Sequence, residues 1–324
     1  MYQPRPFAAS GAQVALRTSH NADGVSVWGL RARGRHTKTG HRMAADDVAA
    51  YYDELHRWTA KDKGFQVFSG FENDTIHRFL IDEATGAFSP DTIYKFIDPH
   101  IKAVGAPRGL DAGCGYGGTV FRCLKVHGGR WTGITISQEQ VDYARGIAKA
   151  RGVARGVGPA AEFYLLSYDA PLPGRYNVMV AIESLIHSAD PAKTIANLAS
   201  ALEPGGRLVV VDDMPLDDVP ERDRALLGDF KRAWRCPITP SASGWIAVAQ
   251  RAGLRLMERI DLSHLMKPRA EADLDAALAD LSSQRAGKTE QGFGRLSDAE
   301  IGGLHLERLL GRGTVRYVML VFRR

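Results

Sequence analysis

Cysteine is scarce in this chain: three in 324 residues, Cys114, Cys123 and Cys236, with no C-x-x-C pair and no histidine spaced to complete a zinc site. A disulfide framework and a structural zinc are thereby excluded, and reduced thiols fit a cytoplasmic setting. Although 44% of the residues are apolar, no apolar run approaches the ~20 residues of a membrane span, so stable membrane insertion is not expected. Basic charge is also missing where a nucleic-acid surface would need it. Residues 1–42 carry seven basic residues against one acid, and the rest of the chain is nearly balanced, so the net charge of +5 sits in the tail. A basic groove for phosphate backbone is not indicated. The tail also lacks a helical or alternating apolar period. Arg-rich and acid-poor, it resembles an organellar transit peptide, but the plainer expectation is a disordered or non-native extension ending near Met43.

What is present reads as one α/β domain over residues 43–324. "AADDVAAYYDELHRWTA" places Val48, Tyr51, Tyr52 and Leu55 at i, i+3, i+4, i+7, the period of an amphipathic helix. After "DTIYKFIDPHIKAV", a further helix, strands and helices alternate: "RGLDAG", "TVFRCLKVHG", "RWTGITI", "SQEQVDYARGIAKARG", "AEFYLLS", "YNVMVAIES", "DPAKTIANLASAL", "PGGRLVVVDDM". Ser137, with Gln140 at the capping-box position, and Asp190, with Pro191 behind it, are helix starts. Such alternation implies a parallel, doubly wound sheet with its ligand at the strands' carboxyl ends. Past residue 215 come two helices, the strand "LRLMERIDL", the helix "EADLDAALADLSSQ", a Gly-rich break, a last helix and the closing strand "TVRYVMLVFRR". The expected division is a helical lid over 43–100, a ligand-binding core over 101–261, a helical insertion over 262–312 and a closing strand over 313–324. No internal repeat is present.

The stretch LDAGCGYGG at 110–118 admits two readings. As G-x-G-x-x-G (Gly113, Gly115, Gly118) it fits a dinucleotide loop. As D-x-G-x-G-x-G (Asp111, Gly113, Gly115, Gly117) it resembles the first motif of class I S-adenosylmethionine methyltransferases. Both need glycine where a strand turns sharply into a helix against a ligand. The surroundings separate them. A dinucleotide site wants an acid at the end of the next strand for the ribose, and Thr135 stands there. "GITISQEQ" instead resembles the G-V-T-(L/I)-S-x-x-Q stretch of the sterol, tocopherol, isoprenoid and cyclopropane-fatty-acid group of small-molecule methyltransferases. "SYDAPLPGRYNVMVAIESLIH" is similar to that group's fourth-strand region, and "LEPGGRLVVVDDM" resembles the turn and fifth strand typical of the class. The resemblance spans about residues 65–260 and implies a seven-stranded Rossmann-like sheet that binds S-adenosylmethionine.

The resemblance also implies roles. Gly113 and Gly115 let the backbone lie against the methionine moiety, and Asp111 orients the loop or accepts from the ligand's ammonium group. Thr135 and Gln140 hold the ribose. Asp169, with Tyr168 beside it, meets the adenine; as a bare residue it reads equally well as a loop cap. Glu183 ends an apolar strand, where an acid must find a partner or face a cavity. In the isoprenoid and sterol members, the matching Glu removes a proton after methylation of a double bond, a step that creates a carbocation. Trp234 and one of Tyr51 and Tyr52 are the expected cation cage, with Phe68 and Phe71 weaker candidates. His187, Lys231, Arg232 and Arg235 could together hold a diphosphate, and such an acceptor would bring magnesium, though no D-D-x-x-D-type cluster commits the chain to it. "DD" at 212–213 reads as a turn cap.

The expected activity is therefore C-methylation of an isoprenoid, a prenyl diphosphate ahead of a sterol or quinol, through a carbocation deprotonated by Glu183. O- or N-methylation of a small metabolite, with His187 as base, is the alternative. A dinucleotide-dependent or non-catalytic Rossmann protein and a cyclopropane synthase complete the set. Homo-oligomer formation is left open.

Overall fold

A computed structural model of the chain describes residues 47–54, 75–154, 158–286 and 293–324. The N-terminal tail, Leu55, Phe68 and Phe71 lie outside the described residues.

The sequence periods convert into elements nearly one for one. Residues 47–54 are helical (α1). A two-stranded hairpin follows, β1 (Leu80–Ile81) with β2 (Phe88–Ser89), then α2 (Tyr94–Lys102). The core alternates β3 (Arg108–Ala112), α3 (Gly118–His127), β4 (Arg130–Thr135), α4 (Gln138–Ala150), β5 (Ala160–Leu165), β6 (Tyr176–Ile182), α5 (Pro191–Ala201) and β7 (Leu202–Pro215). Two helices, α6 (Glu221–Ala233) and α7 (Ala242–Arg251), lead to β8 (Arg255–Asp261). Helices α8 (Glu271–Ala286) and α9 (Phe293–Gly311) intervene before β9 (Val315–Arg323).

Seven strands form one sheet in the order β5-β4-β3-β6-β7-β9-β8. The first five are parallel, as the alternation predicts, but β9 runs antiparallel between β7 and β8. The sheet is therefore mixed. Because α8 and α9 carry the chain back to the carboxyl ends of the parallel strands, β9 can only enter from that end.

Strand alternation sorts the core into two layers. Val178, Val180 and Ile182 of β6 face α2, α3 and α4. Met179 and Ala181, with Leu110 and Ala112 of β3, face α5 and α7. Burial on both faces explains why these strands read as continuous apolar runs. A third cluster, Ile186, Phe230, Cys236, Leu306, Leu309, Leu310 and Val315, packs α6 and α9 over the carboxyl ends of the strands. No described helix is long and apolar enough to cross a membrane.

The order reverses between β3 and β6. Ligands of doubly wound sheets bind at such a switch point.

Candidate active site

The glycine loop supplies the first wall at that switch point. β3 ends at Asp111 and Ala112, and the chain turns through Gly113, Gly115 and Gly117 at φ of 92°, 53° and 90°, all in the left-handed region. Gly117 caps α3, and Gly118 is its first residue. The glycine frame that the backbone needs is 113, 115 and 117, the methyltransferase one. A Cβ on Gly113 would stand 2.4 Å from Cβ of Ser184, so the loop and the end of β6 are in contact. Ser184 Oγ tightens the corner by donating to the Ala112 carbonyl at 2.6 Å.

Asp111 is buried, and burial alone pushes its carboxyl up to about 7. No hydrogen bond or ion pair holds it among the described residues. A buried carboxylate without a cation is an electrostatic debit that a cationic ligand group would relieve. The open backbone of Gly113 and Gly115 beside it fits the amino-acid end of S-adenosylmethionine.

The end of β4 is the second wall. Thr135 Oγ1 donates to Gln140 Oε1 at 2.7 Å, and both side chains are buried. Ser137 caps α4 by accepting from the Gln140 backbone N–H at 3.3 Å. Gln140 does not reciprocate as a capping box would, because its side chain is turned to Thr135. Ser137 Oγ also donates to Asp53 of α1. A carboxylate thus does stand at this strand end, brought by another element, which β4's own sequence cannot reveal.

Tyr168 and Asp169 follow β5. The Tyr168 hydroxyl points to the Ser184 carbonyl at 3.4 Å. Asp169 Oδ1 accepts from the Thr194 side-chain hydroxyl in α5, while the cap of that helix is Asp190.

Glu183 forms the junction with the acceptor side. Its φ of 51° is a left-handed conformation that a non-glycine residue adopts at a cost of about 1–3 kcal/mol. Oε1 accepts twice, from the Tyr317 hydroxyl of β9 at 2.8 Å and from the Arg78 backbone N–H at 2.9 Å. Arg78 itself makes a bidentate pair with Asp213, at 2.8 and 3.0 Å. Burial would lower the Arg78 pKa, but the carboxylates of Asp213 and Glu183 more than offset it and keep the guanidinium charged. The "DD" pair is therefore not a turn cap beyond the strand. It lies buried within β7, with Asp212 Oδ2 accepting from the Ile186 N–H at 2.9 Å. Among the described residues no three metal-ligating side chains come together. The segment 75–78, for which the sequence carries no signal, links the two halves. Ile76 lies under Gly115 while Arg78 reaches Glu183.

The remaining candidates separate. His187 is held by the Tyr52 hydroxyl at Nε2, 2.8 Å, with Cys236 Sγ 3.9 Å from Nδ1. Burial pushes its pKa down to about 4, so it is neutral near pH 7 and brings no charge to a diphosphate. Arg235 is bound by Asp47 of α1 and Asp298 of α9, at 3.1 and 3.5 Å. Exposed Arg232 pairs with Asp229. Of the four cations expected around the cage, His187 is thus neutral and Arg232 and Arg235 are engaged by acids. Tyr51 stands behind Tyr52, edge to face at 5.2 Å. Trp234 packs on Phe230, donates Nε1–H to the Ala299 carbonyl at 2.9 Å and lies against Gly302 of α9. Those contacts account for the indole without a ligand.

Comparison with known proteins agrees with this geometry. The family model described as "Methyltransferase domain" matches residues 73–259, more than half of the chain. The chain is similar to the O-methyltransferase rstn1 of Aspergillus nomiae, 27% identical over 220 residues, covering 67% of this chain and 93% of that protein. It is also similar to ajmaline N-methyltransferase of Rauvolfia serpentina, 29% identical, covering 62% of this chain and 67% of that one. Among solved structures, geranyl diphosphate C-methyltransferase from Streptomyces coelicolor shares the fold, with a TM-score of 0.59, 15% identity and coverage of 87% and 98%. The glycine frame, the switch-point topology and these likenesses converge: the chain belongs to the methyltransferase domain family and is an S-adenosylmethionine-dependent methyltransferase of small molecules.

Proposed function

We propose that the chain methylates a hydroxyl oxygen on an uncharged, largely apolar small molecule, with Glu183 taking the proton that leaves. The observation that carries the reading is the contact of Gly113 with Ser184, which sets the Glu183 corner beside the methyl-donor loop. When bound, S-adenosylmethionine supplies an electrophilic methyl group on a sulfonium. The acceptor oxygen forms the new C–O bond, the C–S electron pair stays on sulfur, and the O–H proton passes to the carboxylate. Glu183 Oε1 already accepts two hydrogen bonds, and Oε2 accepts from no described group, which leaves it for that proton. Charge supports an uncharged acceptor. Arg78 is neutralised by Asp213, His187 is neutral and Arg235 is engaged by two acids. The relatives' activities, O-methylation and N-methylation, favour oxygen or nitrogen over carbon.

A second reading is C-methylation of an isoprenoid, sterol or quinol double bond. Tyr52, Tyr168 and Tyr317 gather near Glu183 and would surround a carbocation, with the same carboxylate removing the proton. A prenyl diphosphate is the weaker form of this reading, because His187 is neutral and Arg232 and Arg235 are paired with acids.

Product masses from a panel of phenols, terpene alcohols, quinols, sterols and prenyl diphosphates decide between them, with fragmentation locating the new methyl group. Glu183→Gln should keep affinity for S-adenosylhomocysteine while turnover falls by about 100-fold or more. Turnover near wild type in that variant would remove the base from the scheme.

A further inference from the structure

We infer that Tyr317 is a positioning residue for methyl transfer, fixing the Glu183 carboxylate in one orientation with the Arg78–Asp213 pair as its brace. The inference rests on the reading of Glu183 as proton acceptor.

A buried tyrosine hydroxyl needs a hydrogen-bond partner, and Glu183 could merely serve Tyr317. The surroundings ask for more. Two donors from distant parts of the chain converge on the same oxygen, the Tyr317 hydroxyl and the Arg78 backbone N–H. Satisfying one phenol requires neither the second donor nor a left-handed backbone at residue 183. The Arg78 guanidinium stands over the Tyr317 ring, 5.0 Å from its centroid, while both its outer nitrogens hold Asp213. Asp213 thereby fixes Arg78, which fixes both the phenol ring and the N–H aimed at Glu183.

The charge arithmetic agrees. The direct ion pair of Arg78 is with Asp213, and its direct contact with Glu183 is a backbone N–H rather than a salt bridge. Oε1 is anchored, rotation of the carboxylate is stopped, and Oε2 keeps a single direction. Preorganisation of this kind matters because misplacing a reacting group by about 1 Å can cost about 100-fold in rate. Tyr52, His77 and Asp212 also feel the Glu183 charge, but none donates to the carboxylate.

The test is a double-mutant cycle on Tyr317→Phe and Glu183→Gln, measured with the fastest acceptor from a panel of phenols, terpene alcohols and quinols. Tyr317→Phe should lower kcat by about 10- to 100-fold and leave the acceptor KM and S-adenosylhomocysteine affinity within about twofold. In the Glu183→Gln background it should add almost nothing, since the carboxylate it positions is gone. An acceptor-free measurement accompanies the cycle. The infrared carboxylate band that Glu183→Gln removes from the S-adenosylhomocysteine complex should broaden and shift in Tyr317→Phe. Should that variant not fold, Asp213→Asn takes its place, with the same expected split. An unchanged band, or effects that simply add, would overturn the positioning role while leaving the base role intact. A Glu183→Gln enzyme with normal kcat would overturn both.

Discussion

The phenol of Tyr52 in the N-terminal helix lies 2.8 Å from Nε2 of His187, 135 residues further along the chain. With Asp53 on Ser137 and Asp47 on Arg235, this contact lays α1 across the ends of β4 and β6 and against the turn after α6. Tyr52→Phe should therefore cost about 1 kcal/mol of stability, the usual net value of a buried hydrogen bond. It should also raise the acceptor KM several-fold. Thermal melts and steady-state kinetics check both, and an unchanged KM would mean that α1 does not roof the acceptor.

His187 gives the protein an acid-sensitive element. Its folded pKa of about 4 lies below the ordinary 6.5, so between those values the unfolded chain binds a proton that the folded one does not. This contribution is complete above pH 6.5 and is lost as pH falls toward 4. His187→Gln, which keeps an acceptor for Tyr52 but cannot titrate, should flatten the fall of Tm over that window.

Asp111 works in the opposite sense. With its carboxyl raised to about 7, the ligand-free fold favours the protonated form. A ligand ammonium group selects the ionised form, so binding releases a proton. Affinity for S-adenosylhomocysteine should rise about tenfold per pH unit from pH 5 and level off above 7. Calorimetry of Asp111→Asn should show weaker, nearly pH-independent binding.

Gly113→Ala meets two penalties, a φ of 92° and a Cβ 2.4 Å from that of Ser184. A loss of about 2 kcal/mol or more, together with loss of S-adenosylhomocysteine binding, is expected.

Trp234→Ala should open a cavity between α6 and α9 and cost about 3 kcal/mol. Acceptor selectivity should stay as it is. Altered selectivity at unchanged Tm would return the indole to the acceptor pocket.

The glycine loop, the Ser137 and Asp190 caps and every core strand were legible because each depends on neighbours within a few residues. Both caps form, with Asp190 accepting from the Lys193 N–H at 3.0 Å. The side chains whose partners are remote were less legible. Gln140 had the right position for a capping box, but Thr135 took its amide. Trp234 and Arg235 had the right types for a cage and a phosphate clamp, yet α9 and α1 had claimed them. Arg78 and Tyr317 carried no local signal. Only their approach to Glu183, across 105 and 134 residues, gives them a part in the site.

By itself the sequence determined the alternation of strands and helices, the left-handed glycine turn after β3 and the acid at the end of the central strand. Those features follow from period, backbone freedom and local capping. Tertiary structure alone decided that the last strand enters antiparallel, that a tyrosine on it holds Glu183 and that Arg78 and Arg235 are paired with acids. Hydrogen bonds and ion pairs act over about 3 Å whatever the separation along the chain, so which groups meet is settled only when the sheet is assembled.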